Sequence, residues 1–228
     1  MLNLMKLEAK KINKGNLLLT FLAVNAGIIG LFLLFRIDQD AAELLMSYES
    51  VFTTMETLIV ASFVIYASVL LSHLVVEEFR DKTITVLFMY PVSRKKLLLA
   101  KVLIVSILTF VFILFSNIIV FGGFTFLNSI FHYISEPFTL EMFTERGLRV
   151  LLSALSSAGI ALIPLFFGMR KYSVPATIVS SILIITLLSS PMNNTDTLYS
   201  LAAVPITLGL AGFLTAYLVI ARAVKTDF

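Results

Sequence analysis

Residues Leu97–Phe121 read LLLAKVLIVSILTFVFILFSNIIVF, and Lys101 is the only ionisable side chain among them. At about 1.5 Å of rise per residue, a helix of this length covers the hydrocarbon core of a bilayer, roughly 30 Å thick. Lys101 lies about one turn inside, where its stem can snorkel back to the interface. The stretch therefore predicts a transmembrane helix, and the remaining sequence is read outward from it.

Five more stretches have the same character: Leu17–Phe35, Thr57–Val76, Leu148–Phe167, Val174–Ser190 and Leu198–Ala221. None has Lys, Arg, Asp or Glu in its central part. The expected fold is all-α, a polytopic membrane protein with six transmembrane helices. Composition agrees: 59% of residues are hydrophobic, 14% are charged and the mean hydropathy is +1.00. A soluble domain is about half apolar and a quarter charged. With no cysteine, a disulfide framework and thiolate metal sites are excluded. No Lys/Arg cluster alternates with aromatics on a polar face, so nucleic acid is not an expected partner.

Basic residues set the expected direction of the spans. With the N-terminus inside, the inner segments hold Lys6, Lys10, Lys11, Lys14, Arg80, Lys82, Arg94, Lys95, Lys96, Lys101, Arg170, Lys171, Arg222 and Lys225. The outer side keeps only Arg36, Arg146 and Arg149, so the bias is 14 against 3 of the 17 Lys and Arg. Acidic residues lean outward, among them Asp38, Asp40, Glu43, Glu49, Glu56, Glu136, Glu141, Glu145 and Asp196. Six spans return the C-terminus to the cytoplasm, leaving residues 222–228 as a short tail. The first span lacks a clear small-x-small cleavage site and is expected to remain in the protein.

Residues 1–16 predict a short amphipathic helix on the inner leaflet. Leu4, Met5, Glu8 and Ile12 recur at helical spacing, lysines cover much of the rest, and Gly15 ends the helix. Anionic lipid would attract those lysines. Of the outer loops, 36–56 is polar and acidic. The loop at 122–147 is mixed, and Gly122-Gly123 is read as breaking the third helix before an interfacial, partly re-entrant or simply amphipathic segment.

The inner connection Glu77–Lys96 is the most informative. Charges crowd the exit of the second span, a semi-apolar stretch follows, and Pro91 stops any helix near Tyr90. Ser93 can cap the next helix, which begins on a basic turn and enters the third span. A helix, a sharp break and a second helix are thus hung below the membrane. This element can pass force from a cytoplasmic partner into two spans, or it can merely be a tight hairpin that positions them.

The pattern Glu78, Arg80, Thr83, Leu87, Pro91, Ser93-Arg94, Leu97 and Lys101 resembles the signature of type-2 ABC exporter permeases. Those subunits have six spans, both ends inside and a lysine-bearing amphipathic N-terminal helix, so the likeness extends to the whole topology. The resemblance implies that Glu77–Phe88 is a coupling helix docking on a separate ABC ATPase subunit. Glu77, Glu78, Arg80, Thr83, Leu87, Pro91 and Arg94 would then be the coupling residues, with Glu78 and Arg80 as the foremost ATPase contacts. It also implies a permease dimer, homo- or heterodimeric, with ATP and Mg bound by the partner ATPase and no cofactor in this chain. Two departures stand out: Lys82 occupies a position where the family often has Gly, and the connection at 191–197 is too short for the re-entrant helices some members carry.

No Gly-x-x-x-x-Gly-Lys-Ser/Thr is present, so ATP hydrolysis is not expected of this chain. No His-Glu-x-x-His occurs, and His73 and His132 fall on opposite sides of the membrane, so no metal site is expected. Glu77-Glu78 with Arg80 is similar to intramembrane protease motifs, yet the in-membrane His or Asn/Glu partners such enzymes need are missing. Asn25 and Asn117 lie near the middle of the first and third spans, as candidate lining of a translocation path or as interhelical hydrogen bonds. The small residues Ser153, Ala154, Ser156, Ser157, Ala158 and Gly159 permit close helix approach in the fourth. The expectation is an exporter permease working by alternating access, moving a lipid-like or amphipathic substrate such as an antimicrobial or toxic peptide. The alternative is a membrane scaffold or immunity protein that binds a partner without transport.

Overall fold

The computed structural model describes residues 2–35, 47–81, 93–131, 134, 140–190, 198–199 and 203–225. Its elements are helical throughout. They are α1 (Leu2–Lys11), α2 (Lys14–Leu34), α3 (Tyr48–Leu71), a π-helical turn (Ser72–Val76), α4 (Glu77–Arg80), α5 (Arg94–Phe131), α6 (Leu140–Ile160), α7 (Ile163–Lys171), α8 (Val174–Leu188) and α9 (Ala203–Lys225). No strand occurs among the described residues.

Among the described residues, five segments are long and apolar enough to cross a membrane: Lys14–Leu34, Tyr48–Arg80, Lys95–Ile130, Arg146–Lys171 and Ala203–Ala223. The fifth predicted span, Val174–Ser190, forms the shorter α8 of 15 residues. Apolar side chains are exposed on the bundle surface, including Leu19 at 70%, Leu187 at 67% and Leu214 at 64%. A soluble protein would bury such residues, whereas a bilayer solvates them.

The core forms around α3, whose Val51, Ile59, Val64 and Leu71 are fully buried. Aromatic rings tie α2, α3 and α5 together: Phe21 lies 5.0 Å from Phe112 and 5.9 Å from Phe63, and Phe32 lies 5.6 Å from Phe124. Helix α2 is peripheral and buries only Asn25, Ile28 and Phe32.

Local chemistry sets the boundaries. Asn13 separates α1 from α2 by accepting the Gly15 N–H at 3.0 Å. The break therefore falls at an N-cap, and Gly15 sits inside α2 instead of ending α1. Ser47 and Ser173 cap α3 and α8 in the same way. Pro164 stands at the start of α7 and marks the break between α6 and α7 within the single span Arg146–Lys171, since its ring excludes the carbonyl of Ile160 four residues back, where α6 ends. Gly122 and Gly123 do not break α5, which continues to Phe131. Instead, a side chain at Gly123 would press to 2.7 Å from Ile29 of α2, so the glycine serves helix packing. The loop expected at 122–147 is thus helical at both ends.

Helices α6 and α9 meet through backbone. A Cβ at Gly159 or Gly212 would collide with the carbonyl of the facing glycine or its neighbour, and one at Gly209 would reach Ser156 O at 2.7 Å. Gly159 and Ser156 belong to the small-residue run of the fourth span, so packing is the role the structure gives that run.

Candidate functional site

Lys101 does not snorkel. Its side chain is fully buried, and its ammonium donates to the Leu74 carbonyl at 2.8 Å, is ion-paired with Glu78 and lies 3.5 Å from Glu8 Oε2. Three acceptors from α1, the π turn and α4 thus converge on one lysine of α5. Lys11 closes the cluster at its rim, 3.3 Å from Glu8 and 3.4 Å from Glu78. Two carboxylates and two ammonium groups balance, so each buried charge has an ionic partner. Glu8 reaches the cluster because Leu4 and Glu8 share the face of α1 turned to the bundle, while Lys6, Leu7 and Lys10 face away.

Beyond the π turn, Glu77 is half exposed. One oxygen meets His73 Nδ1 at 2.7 Å and the other accepts from Arg80 Nη2 at 3.2 Å. Arg80 also donates through Nε to Asp81 at 2.9 Å and remains half exposed. Phe79 is buried and stacks on Tyr172 at 5.9 Å with rings nearly parallel. Tyr172 ends α7 in the left-handed region at φ 48°. The ends of α7 and α9 meet beside it, where Arg170, Tyr172 and Arg222 line a cleft of about 240 Å³. The first helix, α4, the start of α5 and the ends of α7 and α9 therefore lie at one end of the bundle.

Of the residues read as coupling residues, the structure places Glu77, Glu78 and Arg80 on one short helix, with Glu78 turned into the bundle and Arg80 turned out. Arg94 opens α5. Thr83, Leu87 and Pro91 lie outside the described residues, as does most of the expected helix Glu77–Phe88.

The two asparagines are not interhelical. Asn25 donates to Phe21 O at 2.7 Å and Asn117 to Ile113 O at 2.8 Å, each in its own helix. Asn25 is buried. Asn117 lines an apolar cleft of about 430 Å³ between α3, α5 and α6, with Phe52, Met55, Ile118, Arg146 and Val150 in its walls.

At the opposite end, Arg146 sits 3.6 Å from Glu56 and 4.3 Å above the Phe52 ring. Tyr199, in the turn before α9, bonds Ser153 Oγ at 2.6 Å and Ser157 Oγ at 2.9 Å. No group of side chains suited to a metal occurs among the described residues.

Long apolar helices, lipid-compatible surfaces and charges gathered at the two ends define a multi-pass α-helical membrane protein. The family described as "ABC-2 family transporter protein" matches residues 4–189, and the chain belongs to that family. It is a transport permease component. It is 38% identical over 228 residues to the uncharacterized protein YcbO of Bacillus subtilis (strain 168), covering 99% of this chain and 100% of the relative. No solved structure matches the chain.

Proposed function

We propose that this permease is driven by a separate ABC ATPase that docks on the segment beginning at Glu77. The supporting observation is the Lys101 cluster, which ties that segment to α5 and α1 and so gives a push on it a route into the bundle. In this reading the lysine-rich end faces the cytoplasm, with both termini there. Residues 1–16 lie on the inner leaflet, 17–221 form the membrane domain, 77–96 couple it to the ATPase, and 222–228 form the tail. ATP and Mg belong to the partner. Arg80 is the foremost contact, being the outward-facing charge of α4, while Glu78 acts from behind it. Two permeases pair across the membrane and alternate between inward and outward access.

The substrate is an amphipathic peptide or lipid-like molecule, because the spans offer little charge to hold a polar solute. The cleft containing Asn117 is the most suitable lining for its apolar part. Asn25, buried on a peripheral helix, is less suited. The test is co-purification with an ATPase encoded beside the gene, and stimulation of its turnover. Arg80→Glu and Pro91→Ala are expected to abolish stimulation while the permease still inserts. A non-transporting scaffold predicts the opposite: no nucleotide dependence and no effect of either change.

A further inference from the structure

We propose that Lys101 is a positioning residue that pins the π turn at Ser72–Val76 and thereby fixes which way Glu77–Arg80 faces. A π turn holds one residue more than the α-helix it interrupts. If it reverts to α geometry, everything after it turns by about 100° around the helix axis and advances by about 1.5 Å. Glu78 would then leave Lys101, and Arg80 would face a new direction. Three contacts hold the present register. Lys101 donates into the turn itself at Leu74 O, pairs with Glu78 two residues beyond it, and is steadied from the other side by Glu8. The turn is otherwise tightly seated: Ser72, Leu74, Val75 and Val76 are buried, and His73 alone points out. A single ammonium therefore selects between two packings of one helix, the kind of bistable element that conformational coupling requires.

This inference rests on the coupling reading above, and two changes separate it from that reading. Deleting His73 removes the extra residue from the exposed side of the turn. The helix becomes α throughout while Glu78 still faces Lys101, so the switch is locked. Lys101→Met does the reverse and frees the register. With no native cysteine, spin labels can be placed at Asp81→Cys and Leu187→Cys, and their separation measured in the permease–ATPase complex with and without ATP plus vanadate. With labelled permease diluted into unlabelled copies so that only the separation within one protomer is read, the unmodified turn is expected to give one distance, shifted by nucleotide. Lys101→Met should shift or split that distance without nucleotide. The His73 deletion should keep the original distance and lose the nucleotide response.

A Lys101→Met distance identical to the parent, or a His73 deletion that responds to nucleotide as the parent does, overturns the proposal. Where Lys101→Met does not accumulate, Glu8→Leu/Glu78→Leu/Lys101→Leu replaces the charges at similar volume and decides the same question. Absence of any nucleotide shift in the parent counts against ATPase coupling instead, and the two variants still decide the register without nucleotide.

Discussion

Lys101 shows how much one side chain can carry. Removing it leaves Glu8 and Glu78 with only the half-exposed Lys11 at the rim, and Lys101→Met is expected to destabilise the protein by about 3 kcal/mol. Replacing all three charges by leucine should restore most of the thermal midpoint measured in detergent, since a buried ion set can be exchanged for apolar packing. At the other end, Tyr199→Phe removes the hydroxyl that bonds Ser153 and Ser157 and is expected to lower the thermal midpoint by an amount corresponding to about 1 kcal/mol. The sequence places Lys101 about one turn inside its span, a depth from which a lysine can still reach the interface, so its burial is not legible there. It cannot show Glu8 and Glu78 as its partners, because they come from separate helices and only tertiary packing brings them together.

Among the elements, the glycine contact between α6 and α9 sets a sharp contrast. Gly212→Leu has no room, because backbone of the facing helix occupies the site. It is expected to separate the helices and abolish accumulation in the membrane, read by immunoblot of membrane fractions. Gly27→Ala and Gly30→Ala meet open space and should be neutral or slightly stabilising, given that alanine favours a helix by about 1 kcal/mol over glycine. The small-residue run at Ser153–Gly159 made one half of this contact readable from the sequence. The other half, Gly209 and Gly212, carried the same signal at a matching spacing. Pro164 likewise announces the division between α6 and α7, which a hydropathy reading passes over because both pieces are apolar. The π turn has no such signal: Ser72–Val76 contains neither glycine nor proline, and its geometry comes from what packs around it.

For the molecule as a whole, hydropathy made the passes through the membrane and their order legible, because a bilayer demands long apolar helices and little else. It did not reveal how the ends meet. Cysteines placed at Lys10 and Arg222 are expected to react with a membrane-impermeant maleimide from one side, and one at Thr53 only from the other. The short helix α8 adds a constraint of a different kind. Its 15 residues rise only about 22 Å, some 8 Å less than an average hydrocarbon core. Val179, Ile182, Leu183 and Leu187 nonetheless show it to be open to lipid. As a transmembrane helix, α8 is expected to thin the bilayer locally around one flank of the protein, at a fraction of a kcal/mol per Å of mismatch. The permease should favour thin membranes, with its thermal midpoint highest in vesicles of myristoyl chains and falling as the acyl chains lengthen. Lipids with disordered, shorter chains would then gather along α8, making that flank the softest place in the surrounding membrane.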